Sequence, residues 1–414
     1  MTSTDKTGRI GQAEGGELIY DLDDRYDRAA HFRSVRRVVV KVGTHILSRE
    51  DGLLDLAFVE DLMRQIAEVR ASGVEVSLVS SGAVGAGLGS LGLTKRPTEL
   101  DTLQAVAAVG QSVLMRHYDH AASPHNIRVA QVLMSAADLR RKSGYQNVQN
   151  AFRELFRLKA LPIVNENDSV AVEELRFGDN DSLSAHVANL INADLLIILT
   201  DIEGLYEGRP DRVPQPPLIR TVYTINRSVE SLCGKSTSGR GIGGMQTKVG
   251  AAKTLAASGV ATVIAHGRRT TLPEVLAGAP VGTLFLPQQD RTNTKTHHHW
   301  ILALKVAGKV VVDDGAARAL IERHTSLLPT GVRRVYGTFG PGDAVSIQRV
   351  GGGEIARGIA RYSAEDVRRL AGRHSNEIGV ILGYDHGDEI VHRDNLVTVV
   401  NGGWDRLAFS KTEA

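Results

Sequence analysis

The stretch Arg36-Arg37-Val38-Val39-Val40-Lys41-Val42-Gly43-Thr44 (RRVVVKVGT) sets a lysine near the end of a run of valines and follows it with glycine. β-branched residues favour extended backbone, and a run apolar on both alternating faces predicts a strand buried on both sides. An ammonium buried there needs a carboxylate or an anionic ligand close by. Lys41 therefore predicts either an internal ion pair or an anion site, and the segments around it decide between them.

Outward from this strand, short apolar runs alternate with amphipathic segments. Leu56–Ala71 reads as a helix with Phe58, Leu62, Ile66 and Val69 on one face. VEVSLVS (Val74–Ser80) is a second strand, followed by a glycine-rich turn and a helix. Asp101–Ala121 is helical, IRVAQVLM a strand, and Asn147–Lys159 helical. LPIVNEN is a strand, Ser182–Asn192 a helix and DLLIILT a strand. Gly244–Ser258 is a helix and ATVIAHG (Ala261–Gly267) a final strand. Strands and helices in alternation predict an α/β fold with a mostly parallel sheet covered on both faces.

Past Phe285 the rhythm changes. Residues 289–305 are polar and read as a linker. Residues 306–403 carry short strands near Lys309–Val312, Ala344–Gln348, Ile355–Tyr362 and Ile378–Leu382, with helices at Ala316–Arg323 and Ala364–Ala371. This predicts a separate small α+β or barrel-like domain, with 404–414 as a tail and residues 35–288 as the main domain. Residues 1–34 are polar and glycine-containing and predict a disordered extension.

At 414 residues the chain is long enough for two or three domains. Its 49 Lys plus Arg against 47 Asp plus Glu argue against a dedicated nucleic-acid or membrane-surface protein. A single cysteine, Cys233, excludes an intrachain disulfide framework and reads as structural. With no signal-like or membrane-spanning apolar run, the expectation is a soluble cytoplasmic protein that does not bind membranes.

Three motifs tempt and fail. CGKST (Cys233–Thr237) ends like a phosphate-binding loop, but Val229 stands where that loop needs glycine, and no strand leads into it. GLGSLG (Gly87, Gly89, Gly92) has dinucleotide spacing but begins well after its strand ends at Ser80. His297-His298-His299 are adjacent and cannot all face one ion, so no metal site is read there.

The ends of the strands form a better constellation. VSSGAVGAG puts Ser80 and Ser81 at a helix start. VNENDSV ends in Asn165, Glu166, Asn167 and Asp168, and ILTDIEGLY carries Thr200 and Asp201. Ligands bind outside the carboxyl ends of strands in open α/β sheets, so these residues are expected to converge. GIGGMQTK (Gly241–Lys248) adds glycines that let backbone approach a phosphate, with Lys248 one turn into the next helix. GDNDSLSAH (Gly178–His186) stacks Asp179, Asn180 and Asp181 before a helix that one acceptor could cap, which points to a binding site.

Together these motifs resemble the amino acid kinase family, in order from about Arg36 to Leu286, and most resemble its glutamate-phosphorylating branch. The segments from Val312 to Val332 and from His374 to Val397 resemble a PUA domain. The resemblance implies a three-layer αβα sandwich with a mostly parallel sheet, plus a small PUA-like β-barrel. It implies transfer of phosphate from ATP, with Mg2+, to the side-chain carboxylate of L-glutamate, the first step of proline synthesis. By motif, it makes Lys41 and Lys248 the phosphate-contacting lysines and Asp181 the carboxylate that organises them. It assigns glutamate to Ser81, Asp168 and Asn180, with Asn180 offering its amide to the amino acid and Asp168 taking the ammonium. It assigns the nucleotide to Lys41, Thr200, Asp201, Ile242, Gly243, Gly244, Met245, Gln246, Thr247 and Lys248. Asp179 is left to a cap or a magnesium–water contact. The chain departs from the family pattern at Ile242 and Gln246, where Thr and Ser are common. Proline as inhibitor, a homo-oligomer (dimer or tetramer) and a separate glutamyl phosphate reductase are further implications. An acetylglutamate or aspartate kinase is the alternative within enzymes. An RNA-binding protein is the alternative outside them, although basic and acidic residues balance from residue 306 onward.

Overall fold

The computed structural model describes residues 10–12, 18–49, 51–135, 142–169, 180–234, 244–287, 301–302, 304 and 306–398. It divides into two compact units, residues 1–138 with 143–291 and residues 139–142 with 292–414.

The first unit holds ten strands: β1 (Ile10–Gln12), β2 (Leu18–Asp21), β3 (Arg37–Val42), β4 (Glu75–Ser80), β5 (Val129–Met134), β6 (Leu161–Glu166), β7 (Leu195–Thr200), β8 (Thr221–Val222), β9 (Ala261–His266) and β10 (Thr283–Phe285). They form one sheet in the order β1-β2-β8-β10-β9-β7-β3-β4-β6-β5. The six strands from β9 to β5 are all parallel. In-register pairs such as Val42 with Ser80 and Thr200 with His266 bring the carboxyl ends of the central strands to one edge.

Six helices position the site: α1 (Leu56–Ala71), α2 (Ala83–Leu91), α3 (Leu100–Ala122), α4 (Lys142–Arg157), α5 (Asn180–Leu190) and α6 (Met245–Ala256). Alternation along β3 explains the layering, because successive side chains point to opposite faces. Val38, Val40 and Val42 share one apolar cluster with Phe58, Leu62, Ile66 and Val69 of α1 and with Leu114 and Tyr118 of α3. Val39 and Lys41 consequently face the opposite layer, where α5 packs on β3 and α6 packs on α5. The lysine thus points into a protein layer, away from solvent.

Glycines decide how closely α2 and α3 meet. A Cβ on Gly110 would lie 1.7 Å from the Ala83 carbonyl oxygen, and one on Gly87 would lie 2.0 Å from that of Val106. Gly89 is pressed against Leu53, and Gly92 ends α2 at φ +64°. The G-x-G-x-x-G spacing is accounted for by helix packing and capping.

The sheet does not stop at β9. It continues through β10, β8, β2 and β1, of which β10 runs antiparallel to β9. These margin strands are too short for their periodicity to be read. Within residues 1–34, expected as a disordered extension, the described residues 18–34 pack onto the sheet. β2 pairs with β8, and Ile19 and Phe32 are buried. Arg28, 2% exposed, donates to the carbonyls of Val281 and Arg220, at 2.6 Å each, and pairs with Asp24.

The second unit contains β11 (Gly308–Val312), β12 (Val332–Gly337), β13 (Ala344–Arg349), β14 (Glu354–Ile359) and β15 (Leu396–Thr398), in the order β12-β11-β13-β14-β15. Its core includes Val310, Val345, Ile347, Ile355 and Tyr362. Ile378–Leu382, expected as a strand, is instead a short helix closed by Gly383 at φ +82°. A five-residue apolar run fits either structure, and the following glycine favours the helix end. β12 and β15 were not read as strands. On β12, exposed Arg333 and Arg334 hide the alternation.

The close α2–α3 crossing gives the first prediction. Gly110→Ala should destabilise the chain by roughly 1–3 kcal/mol, because neither backbone carbonyl nor helix can retreat freely. Urea unfolding checks this, and a midpoint equal to that of the natural chain would contradict the packing account.

Candidate active site

Lys41 leaves β3 on the α5 face, and α5 answers it with Asp181 in its first turn. Lys41 Nζ lies 2.6 Å from Asp181 Oδ1, and Lys248 Nζ, from the first turn of α6, lies 3.0 Å from Oδ2. Asp181 is fully buried, and both lysine side chains are more than nine-tenths buried. Burial pushes the Asp181 carboxyl upward, but the ammonium groups of Lys41 and Lys248, with hydrogen bonds from Lys41 and Thr247, outweigh it. The carboxyl sits below the usual carboxylate range. One carboxylate between two ammonium groups leaves the trio with one net positive charge.

Thr247 Oγ1 lies 2.7 Å from Asp181 Oδ2 and 2.8 Å from the Gly244 carbonyl oxygen. A hydroxyl has one proton, and the charged acceptor makes the stronger bond, so Thr247 donates to Asp181. Gly43 follows Lys41 so closely that a Cβ there would touch Nζ at 3.5 Å. Arg268, just beyond β9, donates to the Ile46 carbonyl at 3.0 Å and pairs with Asp55 at 2.7 Å. It thereby ties the edge of the sheet to the turn after Lys41.

Beside the trio, Asn180 Nδ2 donates to Ser81 Oγ at 2.8 Å, to the Ser80 carbonyl at 3.1 Å and to Asn165 Oδ1 at 3.2 Å. Protein acceptors thus occupy this amide nitrogen. Asp168 is half-buried in the turn after β6. Thr200 is buried at the end of β7, and its hydroxyl donates to the exposed Asp201 at 3.0 Å. Met245 is half-buried and Gln246 exposed at the start of α6. Ile242 and Gly243, together with Asp179, Gly241 and His297–His299, lie outside the described residues.

Gln111 and Tyr118 of α3 join the strand-end residues, a partnership no local sequence pattern indicates. Asn165 donates to Gln111 Oε1 at 3.0 Å, and Ser80 Oγ lies 2.7 Å from the Tyr118 hydroxyl. Gln111 was legible in one respect: it occupies the same face of α3 as Ala107, Leu114 and Tyr118, a core position for a polar residue. His186, on α5, is pushed down to about 4 by burial and is neutral at physiological pH. Cys233 is pushed up to about 11 by burial and the nearby Glu230, which favours the protonated thiol. Among the described residues, no three His, Cys, Asp or Glu side chains are grouped to hold a metal ion. A cleft of about 370 Å³ beside Asp55, Phe58, Gln65 and Arg268 lies on the α1 side of the sheet, across it from Lys41.

Asp181 makes stability depend on acid in a defined direction. Its folded pKa is depressed, so its contribution is full above its unfolded value near 4 and is lost as pH falls through the folded value. Asp181→Asn should cost about 3 kcal/mol at pH 7 by leaving two buried ammonium groups unneutralised. The difference from the natural chain should shrink below pH 4. Urea midpoints from pH 3 to 8 test this, and a constant difference would refute it.

The amino acid kinase family model matches residues 36–266, and the PUA domain model matches residues 308–382. The chain is 44% identical over 370 residues to the glutamate 5-kinase of Pelobacter propionicus, covering 89% of this chain and 99% of that one. It is 46% identical over 376 residues to that of Trichlorobacter lovleyi, covering 90% and 100%. It is 45% identical over 374 residues to that of Geobacter sulfurreducens, again covering 90% and 100%. With near-complete coverage and both domain models in order, the chain belongs to the amino acid kinase family, in its glutamate 5-kinase branch.

Proposed function

We propose that this site transfers the γ-phosphoryl group of ATP to the side-chain carboxylate of L-glutamate, forming L-glutamyl 5-phosphate and ADP, the first step of proline synthesis. The observation that carries the reading is the Lys41–Asp181–Lys248 trio, with ion-pair distances of 2.6 and 3.0 Å, at the carboxyl edge of the parallel strands.

The nucleophile brings its own charge. A glutamate side chain has a pKa of about 4.3 and is ionised at neutral pH, so no general base is required. Its oxygen forms a bond to the γ-phosphorus while the bond to the bridging oxygen breaks, and that electron pair leaves on ADP. The obstacle is bringing two anions together in line, which places catalysis in positioning and charge stabilisation. Lys41 and Lys248 neutralise the transferring group and the leaving β-phosphate. Asp181 holds both in place against their mutual repulsion, and Thr247 fixes the carboxylate. Mg2+ would enter with ATP and would supply charge neutralisation of the phosphates. The donor set fits this, since the carboxylate at the trio is committed to two lysines.

Ser81, Asn180 and Asp168 take the amino acid, with Asp168 facing the ammonium. Thr200, Asp201 and residues 242–248 take the nucleotide. Inhibition by proline, a homodimer or tetramer, a cytoplasmic location and passage of the acyl phosphate to a separate reductase belong to the same reading. It is supported by full-length similarity to the bacterial relatives and by the absence, among the described residues, of a helix long and apolar enough to cross a membrane.

The test is ADP release from Mg-ATP with L-glutamate, L-aspartate and N-acetyl-L-glutamate in parallel, with hydroxylamine present to trap acyl phosphate. Glutamate-dependent hydroxamate is expected, and turnover with another acid alone would overturn the substrate. Lys41→Met and Lys248→Met should each lower kcat about 100- to 1000-fold. A loss below tenfold in either would remove that lysine from the phosphate.

A further inference from the structure

The hydrogen bonds around Asn180 run in one direction only. Glu166 donates its backbone N–H to Asn165 Oδ1 at 2.9 Å, and a backbone N–H can only donate. That fixes Asn165 with its oxygen toward Glu166 and its amino group toward Gln111 Oε1, 3.0 Å away. Asn165 Oδ1 also faces Asn180 at 3.2 Å, so Asn180 must present its amino group there. The Ser80 carbonyl oxygen, an acceptor only, demands the same at 3.1 Å. Two protons on Asn180 Nδ2 thus meet three protein acceptors, counting Ser81 Oγ at 2.8 Å.

The other end of the amide has no such engagement. Asn180 is half-buried, and among the described residues no hydrogen bond reaches its Oδ1. We propose that the buried relay Gln111–Asn165 locks Asn180 with its carbonyl oxygen toward the substrate, as an acceptor for the free α-ammonium group. This rests on the glutamate reading and deepens it. The site then favours substrates with an unblocked amine, because N-acylation replaces a charged ammonium donor with a single neutral amide N–H, a weaker partner for Asn180 Oδ1. A site built to receive a hydrogen bond rejects analogues that cannot make it, because its polar group is left without a partner.

Gln111 is a positioning residue in this scheme, since it touches Asn165 and not the substrate. It is 8% exposed on α3, and Asn165 is 4% exposed at the end of β6. Removing the Gln111 acceptor leaves the Asn165 amino group buried without its partner and frees both amides to turn. The Tyr118 hydroxyl at Ser80 Oγ braces the neighbouring end of β4 from the same helix, at 2.7 Å.

Steady-state kinetics of the full chain with Mg-ATP test the relay. Gln111→Met keeps the shape without the acceptor and should raise KM for L-glutamate at least tenfold, with KM for ATP moving less than twofold. Gln111→Glu restores an acceptor in place and should recover most of that loss. Equal movement of both KM values, or Met and Glu variants behaving alike, overturns the relay. Glutarate, the same dicarboxylate without the amine, tests the atom. On Asn180→Ala its inhibition constant should shift less than threefold while KM for L-glutamate rises at least tenfold, and parallel shifts overturn the assignment to the ammonium. A natural chain that turns over N-acetyl-L-glutamate but not L-glutamate overturns the proposed substrate, and the inference with it. A natural chain active on L-glutamate whose variants fail these comparisons overturns the inference alone.

Discussion

A carboxylate removed from water between two ammonium groups is the constraint around which the first unit is arranged. Asp181 is fully buried, and burial alone would favour its protonated form. It stays charged because Lys41 and Lys248 stand on either oxygen, and they in turn tolerate burial because it is there. Removing Asp181 leaves two buried ammonium groups without a counter-charge, whereas removing either lysine leaves one neutral pair. Exposed pairs such as Arg209–Asp211 and Arg64–Asp61 look similar in distance, yet each contributes little in water. Burial, more than distance, makes the trio decisive.

Delivering those charges from positions 41, 181 and 248 requires the topology observed. A parallel sheet collects the carboxyl ends of its strands on one edge, and helices returning over one face bring their first turns to that edge. β3 supplies Lys41, α5 supplies Asp181 and α6 supplies Lys248. Strand alternation then decides which layer receives the lysine: the valines at 38, 40 and 42 pack under α1 and α3, and Lys41 points the other way. A one-residue slip in β3 would move the ammonium into the apolar layer.

Legibility in the sequence followed from how local each determinant is. The central strands and main helices announce themselves through apolar runs and helical periodicity, and Lys41 announces itself as a charge inside such a run. β2, β8 and β10 are held by pairing across long sequence distances and by Arg28 reaching the Val281 and Arg220 carbonyls, which no local pattern encodes. Ile378–Leu382 failed because five apolar residues satisfy either period. At the site, residue types at the strand ends pointed to binding, but the direction of each hydrogen bond did not. Asn180 reads equally well as donor or acceptor until Ser80, Asn165 and Glu166 are placed around it. Gln111 was visible only as a polar residue on a core face, with nothing to say what it would meet.

Helix packing and hydrogen-bond direction are joined at adjacent residues of α3. Gly110 lets α3 press against α2, whose first residue follows the Ser80-Ser81-Gly82 turn. Gln111 and Tyr118 then reach Asn165 and Ser80 from the same helix. Gly82, at φ +99°, turns the chain from β4 into α2 in a conformation that favours glycine, so Ser81 is held between a strand end and a helix start. A carboxylate nucleophile needs no base, so little of the chemistry depends on proton movement within the protein. What the protein must supply is orientation, and orientation of a polar side chain requires partners whose donor or acceptor identity cannot change. Backbone N–H and carbonyl groups meet that requirement, and the relay from Glu166 to Ser80 begins and ends on them. The rigidity of the pocket thus derives from main-chain polarity, carried to the substrate through side-chain amides that have one permitted setting.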